Sequence, residues 1–120
     1  MLGDGRLAGT AELAHEIPAG PEIVEPGPGG RDCAHNVAIP AVISWRAVTE
    51  TIDGEPIEID GYEVIVENGE VFDIHLPATA TRVTVPVEFL APDTDYIYEV
   101  LAIADNGNQT ITEGCFSTAP

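Results

Sequence analysis

From Ala41 to the C-terminal end, apolar residues recur at alternate positions, the two-residue period of strands with one buried face. "AVISWRAV" (41–48) sets Ala41, Ile43 and Trp45 against Val42, Ser44 and Arg46. "GYEVIVE" (61–67) sets Tyr62, Val64 and Val66 against Glu63, Ile65 and Glu67. "VFDIHL" (71–76) is shorter, and "RVTVPVEFL" (82–90) points Val83, Val85 and Val87 one way, with Pro86 confined to an edge or a gap in the ladder. "YIYEVLAIA" (96–104) places Tyr96, Tyr98, Val100, Ala102 and Ala104 together, and "TITEGCFST" (110–118) follows. Asn106-Gly107 between these two is a strong hairpin signal. A short Pro-flanked edge strand over 22–25 completes a set of seven, and Gly27 to Asn36 predicts a loop into the second strand. Seven strands without a helix-period segment predict an all-β, seven-stranded antiparallel β-sandwich over residues 20–120.

Residues 1–19 form a separate leader. "RLAGTAELAHEI" alternates Leu7, Ala11, Leu13 and Ile17 against Ala8, Thr10, Glu12 and Glu16. That alternation favours a strand seeking a sheet, its own or that of a neighbouring copy. A short helix from Thr10 is the alternative, since Ala, Glu and Leu favour helix.

Charge narrows the function. Four Arg, no Lys and 21 Asp plus Glu give a formal net charge of −17. Such a surface repels phosphate backbones and anionic lipid, which disfavours nucleic-acid binding and membrane association. No run of apolar residues is long enough to span a membrane. The first residues lack the basic and apolar regions of a secretory signal, so the chain is read as cytosolic or as a mature or excised segment. For Cys33 and Cys115, far apart in the chain, a disulfide is favoured over two free thiols; zinc comes last, with His35 the only nearby further ligand.

Leu90-x-Pro92-x-Thr94-x-Tyr96 resembles the corner between the fifth and sixth strands of fibronectin type III domains, within the immunoglobulin-like sandwiches. Trp45 at the end of the second strand, Gly61-Tyr62-x-Val64 opening the third, and Tyr96-x-x-x-Val100-x-Ala102 extend the likeness from about Pro21 to Thr118. The resemblance implies that Leu90 plugs one end of the core and Pro92 stiffens the crossing. It also implies that Tyr96 buries its ring and turns its hydroxyl to a nearby backbone group. It places the first loop and the end of the last strand at one pole, where Cys33 and Cys115 could bridge; closing so long a loop constrains the unfolded chain by about 4 kcal/mol. The family has no such bridge as a rule, and Phe116 as the inward residue aims Cys115 outward unless Gly114 marks a bulge.

Catalytic chemistry finds no support: His15, His35 and His75 lie in separate segments, and Ser44 lacks nucleophile-elbow glycines. No cofactor is expected. Calcium is the one ion weighed, at Asp53, Glu55, Glu58 and Asp60 or at Asp93 and Asp95. These groups belong to opposite poles of the resembling fold and read as solvated loop carboxylates in preference to a site. Asn108-Gln109-Thr110 is a glycosylation sequon.

The apolar anomaly lies on the outer face. If the tyrosines of the sixth strand point inward, then Ile97, Leu101 and Ile103 point outward beside Ile65, with Ile74 extending the row. Clustered exposed aliphatics suggest a covered patch. The expected role is a non-enzymatic, extracellular structural or protein-interaction module whose partner is protein, including copies of itself. A filament subunit joined by strand addition through the leader is the second expectation. A carbohydrate- or calcium-binding accessory domain is the third.

Overall fold

The computed structural model describes residues 16–27 and 33–120. Leu7, Ala11, Leu13 and His15 lie outside them. Among the described residues eight strands form: β1 (Ile23–Glu25), β2 (Ala34–Val37), β3 (Ala41–Trp45), β4 (Ile59–Asn68), β5 (Glu70–Pro77), β6 (Arg82–Val85), β7 (Asp95–Ala104) and β8 (Gln109–Thr118). They pair into a three-stranded sheet, β1-β3-β6, and a five-stranded sheet, β2-β8-β7-β4-β5. The molecule is an all-β sandwich, with one strand more than the alternation predicts.

The additional strand is β2, overlapping the end of the predicted loop. It runs parallel to β8, with Ala34 opposite Phe116 and Val37 opposite Thr118. Every other strand pair is antiparallel. The segment "AHNV" shows no alternation and includes Asn36 at φ 57°, so nothing local marks it as a strand. Its order comes from β8. Strand β6 is shorter than predicted: it stops before Pro86, and Val87, expected to face inward with Val85, is 47% exposed.

The core lies where the two sheets face each other. Ala41, Ile43 and Trp45 of β3 and Val85 of β6 meet Tyr62, Val64 and Val66 of β4, Tyr96, Tyr98, Val100 and Ala102 of β7, and Phe116 of β8. Rings connect one end of this layer: Phe72 to Phe89, Phe89 to Tyr96, Tyr96 to Phe116 and Phe116 to Tyr98, at centroid distances of 5.3 to 6.1 Å. Such spacing suits offset and tilted aromatic pairs.

Two tyrosine hydroxyls tie loops to this core. Tyr96 accepts a hydrogen bond from the Ala91 backbone N–H at 2.7 Å, forming the corner that the resemblance implies. Tyr62 accepts one from the Val48 N–H at 2.9 Å, fastening the chain beyond β3. Leu90 is buried, Pro92 is exposed, and the Thr94 hydroxyl donates to the Pro92 carbonyl. Trp45 packs 5.3 Å from Tyr62, and its buried indole N–H has no hydrogen-bond acceptor among the described residues. An orphaned donor of this kind costs about 1–3 kcal/mol.

Candidate functional site

The long sheet turns its second face away from the core, and strand register decides what that face carries. Val64 opposite Val100 and Val66 opposite Tyr98 point inward, so their neighbours Ile65, Ile97, Leu101 and Ile103 point outward. Ile97 is 57% exposed, and Ile65 and Ile103 are half-buried. Leu101 differs: it shares the face yet is only 6% exposed. It stands between Glu63 of β4 and Ile111 of β8, whose stems flank it. Ile74 does not extend the row, because it lies opposite Val64 and packs against the core. In its place the face gains Ile111, 50% exposed, which the alternation of β8 with Phe116 inward already implies. Aliphatic side chains therefore run across three adjacent strands.

Carboxylates surround them. Glu63 and Glu67 of β4, Glu99 of β7, Glu113 of β8 and Asp73 of β5 share the face. Among the described residues no Lys or Arg lies in this sheet. Glu99 sits directly opposite Glu113. Burial, then the Glu113 carboxyl as hydrogen-bond partner and charge, and then the charge of Glu67, raise the Glu99 carboxyl above its ordinary range. Glu63 is raised as well, first by a hydrogen bond with Asp73, then by burial and the Asp73 charge, while His75 pulls the other way.

The cysteines bridge on the same face. Register places Cys115 opposite Ile97 with no bulge at Gly114, so Cys115 points outward as Phe116 points in. Cys33, immediately before β2, meets it there, with the Cα atoms 4.7 Å apart. The disulfide thus staples neighbouring strands on the surface; it does not cross the core. Beside it a depression of about 600 Å³ is lined by His35, Glu67, Asn68, Asp95, Ile97 and Ser117.

The end of the leader is engaged with its own domain. Ile17 accepts a backbone bond from Ile52, and Ala19 donates to Glu50. Thr110 donates its hydroxyl to the Pro18 carbonyl, Thr112 donates to Pro21, and the Asn108 amide donates to Glu16. The sequon side chains Asn108 and Thr110 therefore hold residues 16–18 against the β7–β8 hairpin. Ile17, expected with Leu7, Ala11 and Leu13 to seek its own sheet or that of a neighbouring copy, is half-buried here.

The other sequence-derived candidates do not gather. Ser44 donates to Glu25, and Asp95 accepts from Ser117. The turn carrying Asp53 and Glu55 closes on the Thr51 hydroxyl, which accepts from both their N–H groups. Trp45 and all three tyrosines are buried, and Phe72 and Phe89 are partly buried, leaving no exposed ring as a sugar platform among the described residues. No helix among them is long and apolar enough to cross a membrane.

With this geometry in hand, comparison with known proteins defines the fold. No protein-family model matches the chain. A solved structure titled "Myokine structure" is 22% identical, with a TM-score of 0.53, covering 88% of this chain and 98% of that one. The FN1–FN3 domains of chicken CNTN1 are 16% identical with a TM-score of 0.53, covering 84% of this chain. The Clostridium perfringens spore cortex lytic enzyme SleM is 18% identical with a TM-score of 0.52, covering 86%. These likenesses extend to the all-β sandwich fold. The chain spans 35% of the CNTN1 structure and 28% of SleM, so the likeness concerns a part of each and conveys no activity.

Proposed function

We propose that this chain is a non-enzymatic, extracellular protein-interaction module that binds through the outer face of its five-stranded sheet. The observation carrying this reading is the aliphatic band of Ile65, Ile97, Ile103 and Ile111 set among Glu67, Glu99 and Glu113 on a face that no other described element covers. An apolar centre with an anionic rim fits a protein whose surface offers aliphatic groups inside a basic rim. The Cys33–Cys115 disulfide supports an oxidising, extracellular setting, and likeness to domains of the chicken CNTN1 structure supports a role as a module.

The test compares wild type with an Ile97→Asp/Ile111→Asp double variant as immobilised baits for extracellular proteins of the same source. Both side chains are at least half exposed, so the variant should keep the wild-type circular dichroism and melting temperature. Proteins held by wild type should be released by the double variant and by raised salt. An identical set of bound proteins on both baits would overturn the reading.

A second reading, filament growth by strand addition, draws support from β5, which ends the long sheet with an open edge. It now rests on residues 1–15, because Ile17 is committed to Ile52. Light scattering of the full chain and of a variant lacking residues 1–15 decides it: assembly should vanish on truncation, and a monomer in both cases ends the idea.

A further inference from the structure

Strands β4 and β5 bring together a donor set that neither segment displays alone. Glu63 lies directly opposite His75, and Asp73 is two residues before His75 on the same strand, so all three side chains emerge on the outer face. A ligating atom of each lies within 4.8 Å of the others, and His75 Nε2 is 3.4 Å from Glu63 Oε2. Antiparallel pairing from Gly61–Pro77 to Asn68–Glu70 holds the frame. The two carboxylates repel each other, and among the described residues no Lys or Arg in this sheet offsets them. A divalent cation held between them would supply the missing positive charge.

We propose that Glu63, Asp73 and His75 form a binding site for a zinc-class divalent cation at the β5 edge, with water completing the coordination. The chemistry of the donors selects the ion class. One imidazole nitrogen with two carboxylate oxygens suits zinc and its neighbours in the first transition row. Calcium takes six to eight oxygens and gains little from an imidazole. A tetrahedron with bonds of about 2.0 Å has edges of about 3.3 Å, so the wider separations must contract. The His75 side chain is 73% exposed and can make that adjustment by rotation, without moving the strand. The site uses none of the loop carboxylates weighed for calcium; it lies at the β5 side of the same outer face but uses other side chains than the proposed docking band, so either reading can fail alone.

Isothermal titration of zinc chloride into the full chain near pH 7 tests the proposal, with calcium chloride for comparison. About one equivalent of zinc should bind, and His75→Asn or Asp73→Asn should each weaken that binding at least about tenfold. Glu88→Gln, an exposed carboxylate outside this sheet, should leave it unchanged. Nitrogen-15 spectra should show the His75 imidazole shifting with zinc while His15 and His35 stay in place. These outward side chains can change without disturbing the core, which the melting temperature checks. Absence of binding, equal loss in Glu88→Gln, or a stationary His75 signal overturns the site.

Discussion

The Tyr98 ring lies directly over Gly114, its cross-strand partner, in the space that a side chain at Gly114 would occupy. A Cβ built at Gly114 would come within 3.0 Å of three Tyr98 ring and hydroxyl atoms, closer than real Cβ atoms approach. Gly114 is not a bulge, since the β7–β8 register continues unbroken through it. The glycine makes room for an aromatic ring that is 1% exposed.

Gly114→Ala should therefore destabilise by about 1–3 kcal/mol, the usual cost of overpacking a filled core. Urea denaturation with an unchanged slope measures it. Combined with Tyr98→Leu, the cost should fall below the sum of the single changes, because the two groups compete for one space. Strict additivity would sink the explanation.

Tyr96→Phe removes the acceptor of the Ala91 N–H and leaves the ring in place. The expected loss is about 1–2 kcal/mol. Amide exchange at Ala91 should accelerate while exchange at Val100, deep in β7, follows only the global change. A variant as stable as wild type would show that the corner hydroxyl is not holding the loop.

Removing the bridge in a Cys33→Ser/Cys115→Ser variant should lower unfolding free energy by about 2–4 kcal/mol, since the closed loop is long. The pairing of β2 with β8 should loosen first, visible as faster amide exchange at Ala119, whose N–H donates to the Val37 carbonyl. An unchanged urea midpoint with and without reductant would contradict this.

Stability should also carry a pH signature from Glu99. Its folded-state carboxyl is raised above the ordinary value of 4.5, chiefly by burial and by Glu113, and the unfolded chain restores that value. Between the two values the folded state holds more protons, so stability falls as pH rises through that window. Glu63, raised first by its hydrogen bond with Asp73, faces the same region and adds to the same slope. The melting temperature should be higher at about pH 5 than at about pH 7, with a smaller difference in Glu99→Gln. Equal differences in wild type and variant would remove Glu99 from the account.

Much of this molecule was legible locally. Alternation along 61–67 and 96–104 told which residues face the core, because a strand's side-chain period is a backbone property independent of its partners. The corner at Leu90 to Tyr96 was legible for a similar reason: the hydroxyl reaches a backbone group only five residues away. Even Ile111 could have been found from Phe116 by counting in twos.

What the chain could not announce depends on neighbours distant in sequence. Strand β2 exists because β8 offers it a parallel partner and Cys115 a covalent one, so its four residues need no strand-like pattern of their own. Leu101 faces outward as its position dictates, yet what flanks it decides that it is buried. Glu63, Asp73 and His75 become one site only through the β4–β5 register, where a slip of one residue would send His75 to the core and undo it. Direction of a side chain is set by its own strand; its company is set by which strands pair, and only tertiary structure supplies that.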